Sequence, residues 1–202
     1  MIESPPTTAR VGGMLLAGGQ SRRFGAEKAV ARFRERLMMD AVSERFAPFA
    51  HFAISARPGS AAAARATRLR ATLLNDDPSL PPGPLAGVLE GLKWAQGCNL
   101  DFLVTAPCDA PLLPTDLFAR LLDAIGAAPA AFAVTSEGEH PLCAVWQVSL
   151  QTPLESALRS GVHPSVRSFL AEQQAQRVWF DDARAFANAN TADALLALER
   201  SA

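Results

Sequence analysis

The feature that most restricts the fold of this chain is a short apolar run, Val11–Leu16, that passes directly into a glycine-rich loop over residues 17–28. Within twelve residues the loop carries three glycines, two arginines, a serine and a lysine. A strand that ends in such a loop is the first half of a βα unit, and the same alternation continues along the chain. Short apolar runs are followed by longer stretches whose apolar residues recur every three or four positions. That pattern predicts an α/β fold around a mostly parallel sheet. Strands are expected over 11–16, 51–55, 71–74, 101–105, 131–135, 142–148 and 178–180. Helices are expected over 37–46, 59–70, from 85 onward, from 114 or 115 to 124, over 149–159 and 164–174, and from 191. The polar stretch at 136–141 reads as a turn, making the strands on either side of it a hairpin-like excursion. With 202 residues, no internal repeat and no sharp change of composition, a single domain over 1–202 is expected, with halves at about 10–135 and 136–202.

Nineteen basic and twenty acidic side chains leave a formal net charge of −1, which removes the electrostatic footprint of a nucleic-acid-binding protein. An anionic partner must be met locally. Of the basic residues all but Lys28 and Lys93 are arginine. Lys28 closes the glycine-rich loop, whereas Lys93 reads as a surface helix residue. Three cysteines, Cys98, Cys108 and Cys143, have neither metal spacing nor an even count, so reduced thiols in a cytoplasmic protein are expected. The first ten residues lack the basic-then-apolar pattern of a secretory leader. No apolar run reaches the roughly 18 residues of a membrane helix.

Three unusual loops follow predicted parallel strands, at 17–28, 75–87 and 106–114. Open α/β sheets build ligand sites at that end. In the first, Gly18 and Gly19 let backbone N–H groups approach an anion, while Arg22, Arg23 and Lys28 bring positive charge. It is neither a Walker loop nor a dinucleotide fingerprint. The competing reading is a surface turn with solvated arginines. Asp109, in Pro107-Cys108-Asp109-Ala110-Pro111, is held between prolines, a suitable Mg²⁺ ligand or else a turn cap. Asp76, beside Asp77, has the same ambiguity, and Asp101 reads as a strand-start cap. Residues 83–87, Gly-Pro-Leu-Ala-Gly, put a helix start with small side chains at the same face, where a flat base could lie against backbone. His51, His140 and His163 have no visible catalytic partner, and Trp94, Trp146 and Trp179 read as core or interface residues.

Taken in order, LAGGQSRRFGAEKA, GPLAG, PCDAP, HPLCAVW and FANANTADAL resemble the motifs of the molybdenum cofactor guanylyltransferases. These belong to the wider nucleotidyltransferase superfamily, and the matches run from residue 15 to about 195. The resemblance implies a three-layer α/β/α sandwich of Rossmann-like type with a mostly parallel mixed sheet. By the same resemblance, Leu16, Ala17, Gly18 and Gly19 line GTP, and Lys28 contacts its phosphates with Arg22 and Arg23 nearby. Asp76 and Gly87 lie on the nucleotide side. Asp109 binds Mg²⁺ and GTP, and Asn188 and Asn190 contact the pterin acceptor. Lys28, Arg22 and Asp109 are then the residues closest to the chemistry. Phe24 and Glu27 stand where the family commonly has Met and Asp, and Ala110 where it has Thr. Ser55 and Arg57 replace the Asn that helps bind guanine, while the second glycine of Ala17-Gly18-Gly19 favours guanine over the Ala-Ala-Gly of related cytidylyltransferases.

The resemblance implies a cytoplasmic, Mg²⁺-dependent enzyme that transfers GMP from GTP to the terminal phosphate of molybdopterin and releases pyrophosphate. Its partners would be these small molecules, together with molybdoenzymes or other cofactor-biosynthesis proteins. No nucleic acid or membrane is implied. The alternatives are a CTP-using relative, a sugar-phosphate transferase, and a non-catalytic cofactor-binding protein on the same fold.

Overall fold

A computed structural model of the chain describes residues 10–18, 28–161 and 164–201. Gly19, Arg22, Arg23, Phe24, Glu27 and His163 therefore lie outside the described residues, and for Lys28 only the backbone is described.

Strand β1 (Val11–Leu16) is buried almost end to end, because it is flanked on both sides by parallel strands, β4 (His51–Ser55) and β6 (Phe102–Pro107). Strand β5 (Thr72–Leu74) extends the sheet beyond β4. Beyond β6 the order is β8 (Gly138–Gln147), β7 (Ala130–Thr135) and β9 (Gln176–Trp179), giving seven strands in the order β5-β4-β1-β6-β8-β7-β9. Only β8 runs against the rest. Helices α1 (Met38–Ser43), α2 (Ala61–Arg68) and α4 (Leu117–Ile125) pack into the apolar layer on one face of the sheet. Helices α3 (Pro84–Gly97), α5 (Gln151–Arg159) and α6 (Val166–Glu172) fill the layer on the other. The arrangement is the expected three-layer α/β/α sandwich. A short hairpin of β2 (Arg32–Phe33) and β3 (Arg36–Leu37) packs with α7 (Ala192–Ser201) in a small separate cluster.

Local chemistry explains most of the boundaries. Ser60 accepts a hydrogen bond from the Ala63 N–H and caps α2, and Ser165 does the same for α6 through Ser168. Pro84 occupies the first turn of α3, one residue before the expected start, where its missing N–H costs nothing. Leu117, Phe118, Leu121, Leu122 and Ile125 form the buried stripe of α4.

Two expectations are corrected. The helix predicted over 37–46 begins only at Met38, because Leu37 closes the β2–β3 hairpin, and it tightens into a 3₁₀ turn at Glu44–Phe46. The stretch 136–141 is a turn only at its start: β8 already begins at Gly138 and is inserted between β6 and β7, so the pair is part of the main sheet and not an excursion from it. Its polar residues are tolerated there because Glu139 is ion-paired with Arg177 at 2.6 Å and Arg167 at 3.5 Å. Pro141 falls in a register shift between the pairs Phe132–Ala144 and Ala133–His140, where no ladder N–H is required. Inside this irregularity the Leu142 carbonyl accepts from the Thr105 hydroxyl at 2.8 Å, and that hydroxyl accepts from the fully buried Trp146 indole at 2.9 Å.

Candidate functional site

Backbone hydrogen bonds continue past the strand ends and bring the three loops together. The Ala17 N–H donates to the Ser55 carbonyl at 2.8 Å, Cys108 to Leu16 at 3.0 Å, and Ala56 to Leu74 at 3.1 Å. Gly18, Ser55, Asp76 and Asp109 therefore all sit at the carboxyl ends of parallel strands. The chain passes from β1 out to β4 and β5, then returns to place β6 on the other side of β1, so the loops diverge at this point of the sheet.

One wall of the site is a tight polar node. Ser55, 3 % exposed, donates a long side-chain hydrogen bond of 3.4 Å to Asp76 Oδ1. Gly87, in the first turn of α3, faces both. A Cβ there would lie 2.9 Å from Ser55 Oγ, 3.2 Å from Leu16 Cδ2 and 3.4 Å from Asp76 Oδ1. Gly87 is required for this approach. At Gly18 a Cβ would meet Ser55 Oγ at 3.7 Å and Asp76 Oδ2 at 3.9 Å, ordinary contact, so protein packing does not demand glycine there. Asp76 is exposed as a residue, but its carboxyl is turned toward this node. Desolvation raises its pKa, the Ser55 hydrogen bond works against the rise, and the Glu90 charge adds to it. Asp77 next to it moves the opposite way, because the hydroxyl and backbone N–H of Ser79 both donate to its carboxylate.

The other wall is Asp109. Strand β6 runs on through Ala106 and Pro107, two residues beyond its predicted end, and Asp109 follows in the turn, half-buried, with one carboxylate oxygen shielded from solvent. Burial raises the pKa of the enclosed Cys143 thiol, and the Asp109 charge adds to the rise. The Ala189 N–H donates to the Asp109 carbonyl at 2.9 Å, drawing the C-terminal segment onto this loop. Ala189 is fully buried and its neighbours Asn188 and Asn190 are exposed, so both asparagines flank the anchor beside Asp109. Thr191 then caps α7, its hydroxyl accepting from the Ala194 N–H at 3.1 Å.

The donor set fits a hard cation that keeps most of its ligands from water and substrate. Asp109 offers carboxylate oxygen, and no group of three or more His, Cys, Asp or Glu capable of holding a metal occurs among the described residues.

The residues expected to be structural have structural partners. Asp101 holds the start of β6 through an ion pair with Arg10. His51 lies beside Trp94, and His140 stacks on Phe186 with Nε2 3.0 Å from the Thr135 hydroxyl. Trp146 is core, Trp94 is half-buried, and Trp179 is 53 % exposed with its N–H on Asp181. None of the three cysteines is in a disulfide. No helix among the described residues is long and apolar enough to cross a membrane.

Lys93, expected on a helix surface, joins two helices through ion pairs. It is half-buried, with Nζ 2.9 Å from Glu90 Oε1 and 3.7 Å from Glu155 Oε1. The i,i+3 spacing from Glu90 was the only signal available, since Glu155 comes from another helix.

Comparison with known proteins agrees with this fold. Residues 13–178 match the MobA-like NTP transferase domain family. A molybdenum cofactor guanylyltransferase from Cereibacter sphaeroides (strain ATCC 17029) is 39 % identical over 192 residues, covering 94 % of this chain and 96 % of that protein. One from Burkholderia ambifaria (strain MC40-6) is 37 % identical, covering 93 % and 95 %. Among solved structures, molybdopterin-guanine dinucleotide biosynthesis protein A from Archaeoglobus fulgidus superposes with a TM-score of 0.72 at 22 % identity, covering 94 % of this chain and 97 % of that one.

Proposed function

Because the chain belongs to the MobA-like NTP transferase family, we propose that it is a nucleotidyltransferase that moves GMP from GTP onto the terminal phosphate of molybdopterin. The observation that carries this reading is the convergence of Gly18, Ser55, Asp76 and Gly87, with Asp109 just past the end of the neighbouring parallel strand, in a chain similar to guanylyltransferases over nearly its whole length.

An oxygen of the acceptor phosphate attacks the α-phosphorus of GTP, the bond from that phosphorus to the bridging oxygen of the β-phosphate breaks, and pyrophosphate leaves with the electron pair. The acceptor oxygen is already anionic, so no side chain needs to remove a proton. The protein has to hold two anions in line and neutralise them. Leu16, Ala17, Gly18 and Gly19 present backbone to the nucleotide, and the absence of a packing demand at Gly18 supports a reserved approach path for a ligand. Lys28, with Arg22 and Arg23, offers cations to the leaving pyrophosphate. Asp76 accepts hydrogen bonds only, which suits the adjacent N–H donors on the guanine edge and disfavours the acceptor-rich edge of cytosine. Asn188 and Asn190 meet the pterin. Mg²⁺, when bound, would be held by Asp109 and supply charge neutralisation between donor and acceptor phosphates. The product dinucleotide passes to a molybdoenzyme or another cofactor-biosynthesis protein in the cytoplasm.

Competition of GTP with CTP, ATP and UTP in a thermal-shift assay with Mg²⁺ tests the substrate assignment. GTP should raise the melting temperature most, and a larger shift with CTP would reverse it. Lys28→Ala should chiefly lower kcat, by about 10²-fold if its charge acts on the leaving group. Near-wild-type turnover would remove Lys28 from the mechanism.

A further inference from the structure

The Asp76 loop is joined to the two helices behind it by a continuous chain of charges. From α3, Glu90 accepts from Lys93 Nζ at 2.9 Å, and the same ammonium lies 3.7 Å from Glu155 on α5. Glu155 is paired with Arg159 at 3.0 Å, and Arg159 reaches Asp77 at 3.9 Å, next to Asp76. The members differ in what they do to Asp76. Glu90 is the charge that acts on its carboxyl directly, in the sense that opposes ionisation. Lys93 acts on Glu90, Glu155 and Asp77, while Arg159 acts on Glu155 and Asp77. Neutral groups complete the surroundings: the Ser55 hydroxyl on Asp76 and the Ser79 hydroxyl on Asp77. Without Lys93, two carboxylates would face the loop and one cation would remain.

We propose that Lys93 is a positioning residue for nucleotide binding, its ammonium compensating Glu90 and bridging to α5 so that Asp76 is held beside Ser55 as an anionic acceptor for the incoming base. Lys93 touches no substrate in this assignment and acts entirely through Glu90 and the 75–79 loop. The inference rests on the guanylyl-transfer reading for what Asp76 binds, but not for the charge chain itself.

The test follows the Asp76 carboxyl by ¹³C NMR titration in the ligand-free protein, in wild type and in Lys93→Met, Lys93→Arg and Lys93→Met/Glu90→Gln, with GTP affinity measured by calorimetry across the Asp76 midpoint and at pH 8. In Lys93→Met the Asp76 midpoint should rise by roughly half a unit to one unit, discounted for partial exposure. GTP should bind progressively more weakly than to wild type as pH falls through the Asp76 midpoint, the loss approaching about three- to tenfold only below both midpoints and vanishing at pH 8. Lys93→Arg and the double variant should recover both properties. An unmoved Asp76 midpoint in Lys93→Met overturns the proposal, as does a double variant no better than the single one or a moved midpoint with unchanged GTP affinity. Wild-type protein that fails to bind GTP refutes the guanylyl-transfer reading instead, and the Asp76 titration still decides whether Lys93 controls that carboxyl.

Discussion

Three glycines on α3 offer a graded probe of the site, since each alanine substitution removes the same helix-propensity penalty of about 1 kcal/mol but meets different neighbours. At Gly97 a Cβ meets nothing within 4 Å, so Gly97→Ala should stabilise by up to about 1 kcal/mol, less if the helix end frays. At Gly91 it would approach Met14 Sδ at 2.6 Å, Met14 Cε at 2.7 Å and Leu103 Cδ2 at 2.8 Å. Overpacking of this kind costs about 1–3 kcal/mol, so after the propensity gain Gly91→Ala should destabilise by roughly 0–2 kcal/mol. At Gly87 the contacts are similar in number but different in kind. Ser55 Oγ at 2.9 Å and Asp76 Oδ1 at 3.4 Å are the two ends of the polar node. Gly87→Ala should therefore cost about as much stability as Gly91→Ala and also push Ser55 and Asp76 apart. Losing about 1.4 kcal/mol of binding at that node would weaken GTP about tenfold. Urea denaturation gives the stabilities and calorimetry the GTP affinities. The reasoning is refuted if Gly87→Ala binds GTP as wild type does, or if Gly91→Ala loses affinity to the same extent.

Asp109→Ala should abolish Mg²⁺-dependent GTP binding with little change in urea stability; an unchanged calorimetric titration would remove Asp109 from the metal site. Burial raises the Asp76 pKa above its unfolded value, so the stability it contributes is fully present below the unfolded pKa and is lost as pH rises through the folded one. Asp76→Asn removes that dependence, and from about pH 4 upward the variant should gain stability relative to wild type while losing GTP affinity, as read by denaturation and calorimetry across pH. Thr105→Val leaves the Trp146 indole N–H and the Leu142 carbonyl without their partner, and should lower the urea-unfolding free energy by about 1–3 kcal/mol. A stability within a few tenths of wild type would contradict the role of that buried link.

Strands β1 and β4 were legible residue for residue, since each is an apolar run bounded by turn-forming residues. The start of β8 was not. Gly138, Glu139, His140 and Pro141 carry turn chemistry, and what makes them strand is tertiary: arginines from α6 and β9 that neutralise Glu139, and a register shift that absorbs the proline. The site divides along the same line. Asp76, Gly87 and Asp109 were visible because each belongs to a loop at a strand end or to a helix start. The burial of Ser55 and its bond to Asp76 join segments twenty-one residues apart, and Lys93 acquires its meaning from Glu155 on another helix. Local pattern cannot report such a pairing.

The central claim is tested most directly by following labelled α-phosphate. Incubated with Mg²⁺, molybdopterin and α-labelled GTP, the protein should move the label into a molybdopterin dinucleotide and release one pyrophosphate per label transferred. Equal or faster transfer from α-labelled CTP, or labelled GTP recovered intact with no pyrophosphate formed, would contradict it.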